Sequence, residues 1–220
     1  MTVTIYGVHR SRASRNYWLA NEIGLKVETV PVIQAYRLTE PAASGAPFST
    51  RSPDFLALSP AGSIPVMTDG ELVLTESLAI NLYLARTYGG DLGPRTAAED
   101  ALMQAAALDA ATAIEPHSLA ILYAHTEGRA GTPEGAAEVA IHAQALARPL
   151  ARLDAHFALH GALIGDRFTV ADINLAEVLR YAQAHPTLIS GYPAVDRWLK
   201  GCQGRPGFQA MWAARNAEPA

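Results

Sequence analysis

Residues Ser63–Ile80 read SIPVMTDGELVLTESLAI. Apolar residues on both sides of Asp69-Gly70, with Val66 and Met67 before and Val73 and Leu74 after, predict a β-hairpin. Pro65, at its mouth, has no N–H for a sheet ladder, and a central strand should reject it. A cis Ile64–Pro65 bond resolves the conflict. It turns the chain ahead of the strand and leaves the Ile64 N–H and C=O to pair with an extended peptide. Glu76-Ser77 then opens a helix predicted over Ser77–Tyr88 and closed by Gly89-Gly90. A helix N-terminus offers unpaired N–H groups and the positive end of its dipole to a carboxylate. Ser77 adds a hydroxyl donor, and Glu76 can pair with an ammonium group. These demands describe a small, peptide-like ligand carrying both an amine and a carboxylate.

Upstream, Val3–Tyr6 predicts a short strand, Asn16–Ile23 a helix stopped by Gly24, and Lys26–Val32 a second strand. Strand, helix, strand implies a βαβ unit with a right-handed crossover. A loop rich in Pro, Ser, Gly and Ala over Leu38–Ser52 and a short helix at Pro53–Leu58 lead to the hairpin. Beyond a linker at residues 89–95, strand signals vanish, and alanine-rich runs such as ALMQAAALDAATAI predict only helices. The fold class is therefore a mixed α/β domain over residues 1–88 and an all-α bundle over residues 96–220. Pro116 and Pro149 should each mark a kink or a helix start. Thr169–Asp172 has the spacing of an N-terminal cap.

The 220 residues are 50% hydrophobic and 17% charged, with a net charge of −4, which is globular composition without a basic field for nucleic acid or an anionic membrane. Cys202 is the only cysteine, so no internal disulfide forms and a reducing, cytoplasmic setting is expected. The start, MTVTIYGVHRSR, lacks the apolar core of a secretion signal, and no later run is long enough to span a membrane. No His/Cys group has zinc-ligand spacing, and no Gly-rich loop fits a nucleotide, so no metal is expected.

The run FLALSPAGSIPVMTDGELVLTESLAINLYLARTYG resembles the first-domain signature of cytosolic glutathione transferases. It carries the L-x-P-x-G-x-(I/V)-P turn, the Asp-Gly hairpin, the E-S pair and an I-x-x-Y-L helix. LIGDRFTVADINLAEVLRYA and RPGFQAM are similar to the second-domain signature of that family. The resemblance implies a thioredoxin-like domain followed by an all-α domain, a homodimer, and a detoxifying transfer. Glutathione would be the co-substrate, with no covalently bound cofactor, and its thiolate would attack a hydrophobic electrophile. Carried over residue by residue, the Ile64 backbone before cis Pro65 would contact the glutathione cysteine, and Glu76 and Ser77 would hold the γ-glutamyl group. Ser63 completes the candidate set, although it is shorter than the polar residue often found before this Ile-Pro. A non-enzymatic glutathione- or ligand-binding protein of the same fold is the alternative, as is a glutathione-dependent isomerase or reductase. No cysteine occupies the thioredoxin active-site position, which disfavours cysteine-dependent reduction.

The transfer needs a thiolate. Lowering a thiol pKa by roughly two units takes about 2.7 kcal/mol of preference for the anion. One charge-assisted hydrogen bond contributes about 1.5–3 kcal/mol, so a single hydroxyl suffices. In YGVHRSRASRN, Ser11 falls where zeta- and theta-like members place their serine, with Arg10 and Arg12 adding positive potential. Tyr6, at the end of the first strand, is the rival, because some classes use a tyrosine there; Ser14 is third. Ser11 is the choice, and a helix cap without substrate contact is its competing structural role. Arg15 reads as a solvated or salt-bridged surface charge, and Cys202 as a small buried apolar residue. His117 and Tyr123, after Pro116, are the candidates to line the electrophile pocket.

Overall fold

The computed structural model describes residues 2–219. Strand β1 (Thr4–Tyr6) pairs in parallel with β2 (Glu28–Val30), the two joined through helix α1 (Ser14–Ile23), as the strand–helix–strand pattern predicts. Pro31 follows β2 directly, which is shorter than the alternation over Lys26–Val32 suggests. After a short helix α2 (Pro53–Leu58), β3 (Val66–Asp69) runs antiparallel to β1 and β4 (Leu72–Thr75) antiparallel to β3. The result is a four-stranded sheet of order β2-β1-β3-β4. Asp69 pairs with Leu72 inside the ladder, so the turn is Gly70-Glu71, and Gly70 takes the positive φ of +59° that the first position of a tight hairpin requires. The Ile64–Pro65 bond is cis.

Strand alternation sorts the core into two faces. Tyr6 and its register partner Val66 share the face under α2, where Val32, Phe55 and Val66 form a cluster joined by Tyr6, Val30, Phe48, Leu58 and Ile64. Ile5 and its partner Met67 point the other way and are fully buried. So are Trp18 and Leu19 of α1 and Ile80 and Leu84 of α3 (Ser77–Tyr88), two helices that pack on each other. The hairpin is tied to α3 through Asp69, whose Oδ2 accepts from the Tyr83 and Tyr88 hydroxyls at 2.8 and 2.5 Å.

The described residues fall into two compact units, one comprising the chain up to Gly90 together with Pro206 onward, the other Asp91–Arg205. The second holds α4 (Ala97–Asp109), a π-helical stretch Ala110–Ile114, α5 (Glu115–Thr126), α6 (Pro133–Leu159), α7 (Val170–Leu179) and α8 (Pro193–Gln203). Pro116 stands in the first turn of α5, directly after the π-helical stretch, and Pro149 lies inside α6. All of α7 is buried, and its capping box is complete: Thr169 and Asp172 each bond the other's backbone region. Asp172 also accepts from Leu163 N at 2.9 Å and from Trp198 Nε1 at 3.1 Å, so one carboxylate joins the α6–α7 connection to α8. Cys202 is buried.

The last helix, α9 (Pro206–Ala217), departs from the boundary expected at residues 96–220, because it packs on α1 in the first unit. Phe208 meets the Trp18 ring edge-on, and Asn21 Nδ2 donates to the Gly207 carbonyl at 3.3 Å. The approach is close: a Cβ at position 207 would lie 2.7 Å from the Glu22 side chain, which would have to move aside. Among the described residues, no helix is long and apolar enough to cross a membrane.

Candidate functional site

The first turn of α1 meets the N-terminus of α3. Helical spacing places Arg15 on the same stripe as Trp18 and Leu19, three and four residues on, so its side chain enters the interior. Arg15 is 1% exposed, which corrects the expectation of a solvated charge. Its Nη1 donates to Ser77 Oγ at 3.0 Å. Asn16 Nδ2 donates to the Ser77 carbonyl at 2.9 Å and to Asn81 Oδ1 at 2.7 Å, and Asn81 Nδ2 returns a bond to the Arg15 carbonyl at 3.2 Å. Ser77 is thereby held at both its hydroxyl and its carbonyl. A hydroxyl that accepts from a guanidinium keeps its own hydrogen to donate. Ser77 is the first residue of α3, where the Arg15 charge and the helix dipole add to favour an anion.

Glu76 precedes this serine with φ +66° and ψ 104°, and is the one non-glycine with positive φ among the described residues. Such a conformation costs about 1–3 kcal/mol and is concentrated at ligand sites. Glu76 is exposed, so its carboxylate is open to an ammonium partner. At the hairpin mouth Pro65 is buried, Ile64 half-buried and Ser63 exposed. Among the described residues, neither backbone polar group of Ile64 takes part in a hydrogen bond. The chain leaving β1 passes close by: a Cβ at Gly7 would lie 2.9 Å from that of Ala13 and 3.8 Å from that of Ile64. The structure therefore brings Ile64–Pro65 and the loop between β1 and α1 to one edge of the first unit.

In that loop the candidate hydroxyls differ in access. Ser11 is half-exposed; its Oγ donates to the Val8 carbonyl at 2.6 Å and accepts from Ala13 N at 3.0 Å. Ser14 is fully buried, and Tyr6 is packed in the apolar cluster under α2. Arg10 Nε donates to the Arg215 carbonyl at 3.2 Å, and Arg12 is exposed. Tyr17 stacks on His9 with ring centroids 4.1 Å apart, and its phenol is pushed up to about 12, chiefly by burial with the Glu218 charge adding, so it stays protonated.

In the second unit, His117 faces α6, its Nδ1 3.0 Å from that of His142, while Tyr123 is exposed. Their spacing places them about 120° apart around α5. The structure does not bring these two together as one pocket wall. The sequence does not single out Arg15, Asn16 or Asn81 as candidates for this site. The legible signal was a charged residue at i−3 and i−4 from Trp18 and Leu19, inside an apolar stripe.

Residues 1–86 match the family described as "Glutathione S-transferase, N-terminal domain", and residues 105–206 that described as "Glutathione S-transferase, C-terminal domain". Over 206 residues the chain is 37% identical to glutathione S-transferase 3 of Zea mays, covering 88% of this chain and 85% of that protein. A solved structure of glutathione S-transferase III in apo form superposes with a TM-score of 0.79 at 33% identity, covering 100% of both chains. A theta-class glutathione S-transferase from Xanthomonas axonopodis pv. citri, solved with glutathione bound, gives a TM-score of 0.77 at 29% identity over 96% of each chain.

Proposed function

The chain belongs to the glutathione S-transferase family, and from that premise we propose that it is a glutathione transferase whose first unit binds glutathione and adds the thiolate to an electrophilic small molecule. The observation that carries the proposal is the Arg15–Ser77 contact at the N-terminus of α3, next to the strained Glu76. There the γ-glutamyl carboxylate would take the Ser77 hydroxyl hydrogen and the α3 amides, with its ammonium on Glu76. The Ile64 backbone would pair with the cysteine main chain, and Ser63 and Pro65 would border it. In this pose the thiol would lie toward the loop between β1 and α1, where Ser11 is the accessible hydroxyl.

Ser11 would turn its hydrogen from the Val8 carbonyl to the sulfur, so that the thiolate is the favoured form at neutral pH. Arg12, exposed beside it, would add positive potential, whereas Arg10 is engaged with α9. The serine-type activation rests on the HRSRAS segment and the accessibility of Ser11, and Tyr6 is the alternative donor. For the electrophile, His117 and Tyr123 would each act from a different face of α5. A homodimer is supported by apolar side chains exposed in each unit, Val73 on β4 and Leu102 and Leu108 on α4. The lone buried Cys202 supports a cytoplasmic setting.

Calorimetric titration with glutathione, followed by turnover of a panel of electrophiles, tests the proposal. Binding with turnover is the expected result. Binding without turnover on any electrophile would replace the transferase by a carrier, and no binding would remove the site.

A further inference from the structure

His9 and Arg10, in the loop that carries Ser11, make most of their main-chain hydrogen bonds to Arg215 and Glu218, more than 200 residues away. Glu218 presents both carboxylate oxygens to successive amides: Oε1 accepts from His9 N at 2.7 Å and Oε2 from Arg10 N at 2.8 Å. The His9 ring adds Nδ1 to Oε1 at 3.0 Å. Arg215, in the last turn of α9, forms a reciprocal pair: Nη1 donates to the His9 carbonyl at 2.7 Å, and its own carbonyl accepts from Arg10 Nε at 3.2 Å. Gln34 Nε2 donates to the Arg10 carbonyl at 3.2 Å. All four main-chain polar groups of His9 and Arg10 are engaged, three of them by Arg215 and Glu218. Consecutive amides of this kind make an anion cradle, and here the chain fills the cradle itself.

The grip is firm because its origin is a docked helix. α9 is held on α1 through Phe208 against Trp18 and through Asn21 on the Gly207 carbonyl, and Glu218 N continues the last turn by donating to the Ala214 carbonyl at 3.2 Å. Ser11 follows Arg10 directly, and the carbonyl that now takes its hydrogen, that of Val8, precedes His9. Any shift of His9-Arg10 therefore moves the serine and its resting partner together. Catalytic groups tolerate little of this: a misplacement near 1 Å costs about a hundredfold in rate.

We propose that Glu218 is a positioning residue for thiol activation, holding the loop between β1 and α1 so that the Ser11 hydroxyl faces the glutathione sulfur. The inference rests on the reading of the first unit as the glutathione site. Its reach is long, since a carboxylate at the C-terminal end of the chain sets the geometry of a residue near the N-terminus.

Four variants test it: Glu218→Ala, Glu218→Gln, Ser11→Ala and the double Ser11→Ala/Glu218→Ala. Two readouts are taken, the pH midpoint of the ultraviolet thiolate band of bound glutathione and kcat/KM with an activated aryl chloride. Loss of folded protein lowers the amplitude of the band without moving its midpoint, so a merely structural role is distinguishable. Glu218→Ala should raise the midpoint by about half to one unit and lower kcat/KM about tenfold, mainly in kcat. Glu218→Gln keeps one acceptor and should fall between. The double variant should lose no more than Ser11→Ala alone. An unmoved midpoint in Glu218→Ala beside a shifted one in Ser11→Ala overturns the role of Glu218 and leaves the glutathione reading intact. Additive losses in the double variant overturn the route through Ser11. A shift in Glu218→Ala with none in Ser11→Ala overturns Ser11 as the group being positioned, and no shift in either overturns both assignments. Absence of glutathione binding by the unaltered protein defeats the underlying reading itself.

Discussion

Replacing Asp172 by alanine should destabilise the helical unit severely. The carboxylate accepts from Leu163 N and Thr169 N, both at 2.9 Å, from Trp198 Nε1 at 3.1 Å and from the Thr169 hydroxyl at 3.2 Å. Alanine strands three N–H donors, two of them in buried residues, at about 1–3 kcal/mol each, while the hydroxyl can turn elsewhere. One effect opposes this. Burial outweighs the hydrogen bonds and holds the Asp172 carboxyl above the usual carboxylate range, so removing the charge recovers part of the loss. The expected net cost is about 3–5 kcal/mol, or roughly 10 °C in the unfolding midpoint of a chain this long. Asp172→Asn keeps one acceptor oxygen without the buried charge and should lose about half as much. Circular dichroism during heating and during urea unfolding reads both variants. A loss below about 1 kcal/mol in Asp172→Ala would refute the view that this carboxylate joins α7, α8 and the preceding connection into one structure.

Ser77→Ala should weaken glutathione binding roughly 10- to 100-fold, the worth of one hydrogen bond to a carboxylate, as measured by calorimetry; unchanged affinity would remove Ser77 from the site. Glu76→Gly should separate stability from function: relief of the positive φ stabilises the fold by about 1 kcal/mol while glutathione affinity falls, and an unchanged affinity would show the strain to have no ligand role. Ser11→Ala should raise the thiol midpoint of bound glutathione by about one unit; a shift in Tyr6→Phe alone would award the role to the tyrosine. His117 gives a pH test. Burial, with the neighbouring His142 adding, holds its imidazole below the usual histidine range, so folding favours the neutral ring. Between that lowered value and about 6.5 the unfolded chain binds more protons, and stability falls as pH drops through this window. His117→Gln should flatten that dependence in urea unfolding at several pH values, and an identical slope in both proteins would contradict it.

Much of the fold was legible in the sequence because its signals are local. The hairpin, the proline at its mouth, the glycine stop of α1 and the Thr169–Asp172 cap each depend on neighbours a few residues away, and each appears where its chemistry predicts, with the turn itself one residue on, at Gly70-Glu71. The place of Glu76 and Ser77 at the start of α3 was legible for the same reason, since a helix N-terminus announces itself by its first residues. Four things were decided only in three dimensions. Arg15 became an interior donor to Ser77 because α1 packs on α3; its partner is 62 residues away. Asn16 and Asn81 looked like ordinary polar helix positions until the same packing removed water from both. α9 joined the first unit instead of the helical one through its packing on α1, with Phe208 against Trp18 and Asn21 on the Gly207 carbonyl. Glu218, 209 residues from His9, took the amides of the loop that carries Ser11. Turns and caps are short-range and can be read from composition and spacing. The burial of a charge, or the capture of a backbone amide by a distant carboxylate, depends on which surfaces meet, and that is settled only when the whole chain has packed.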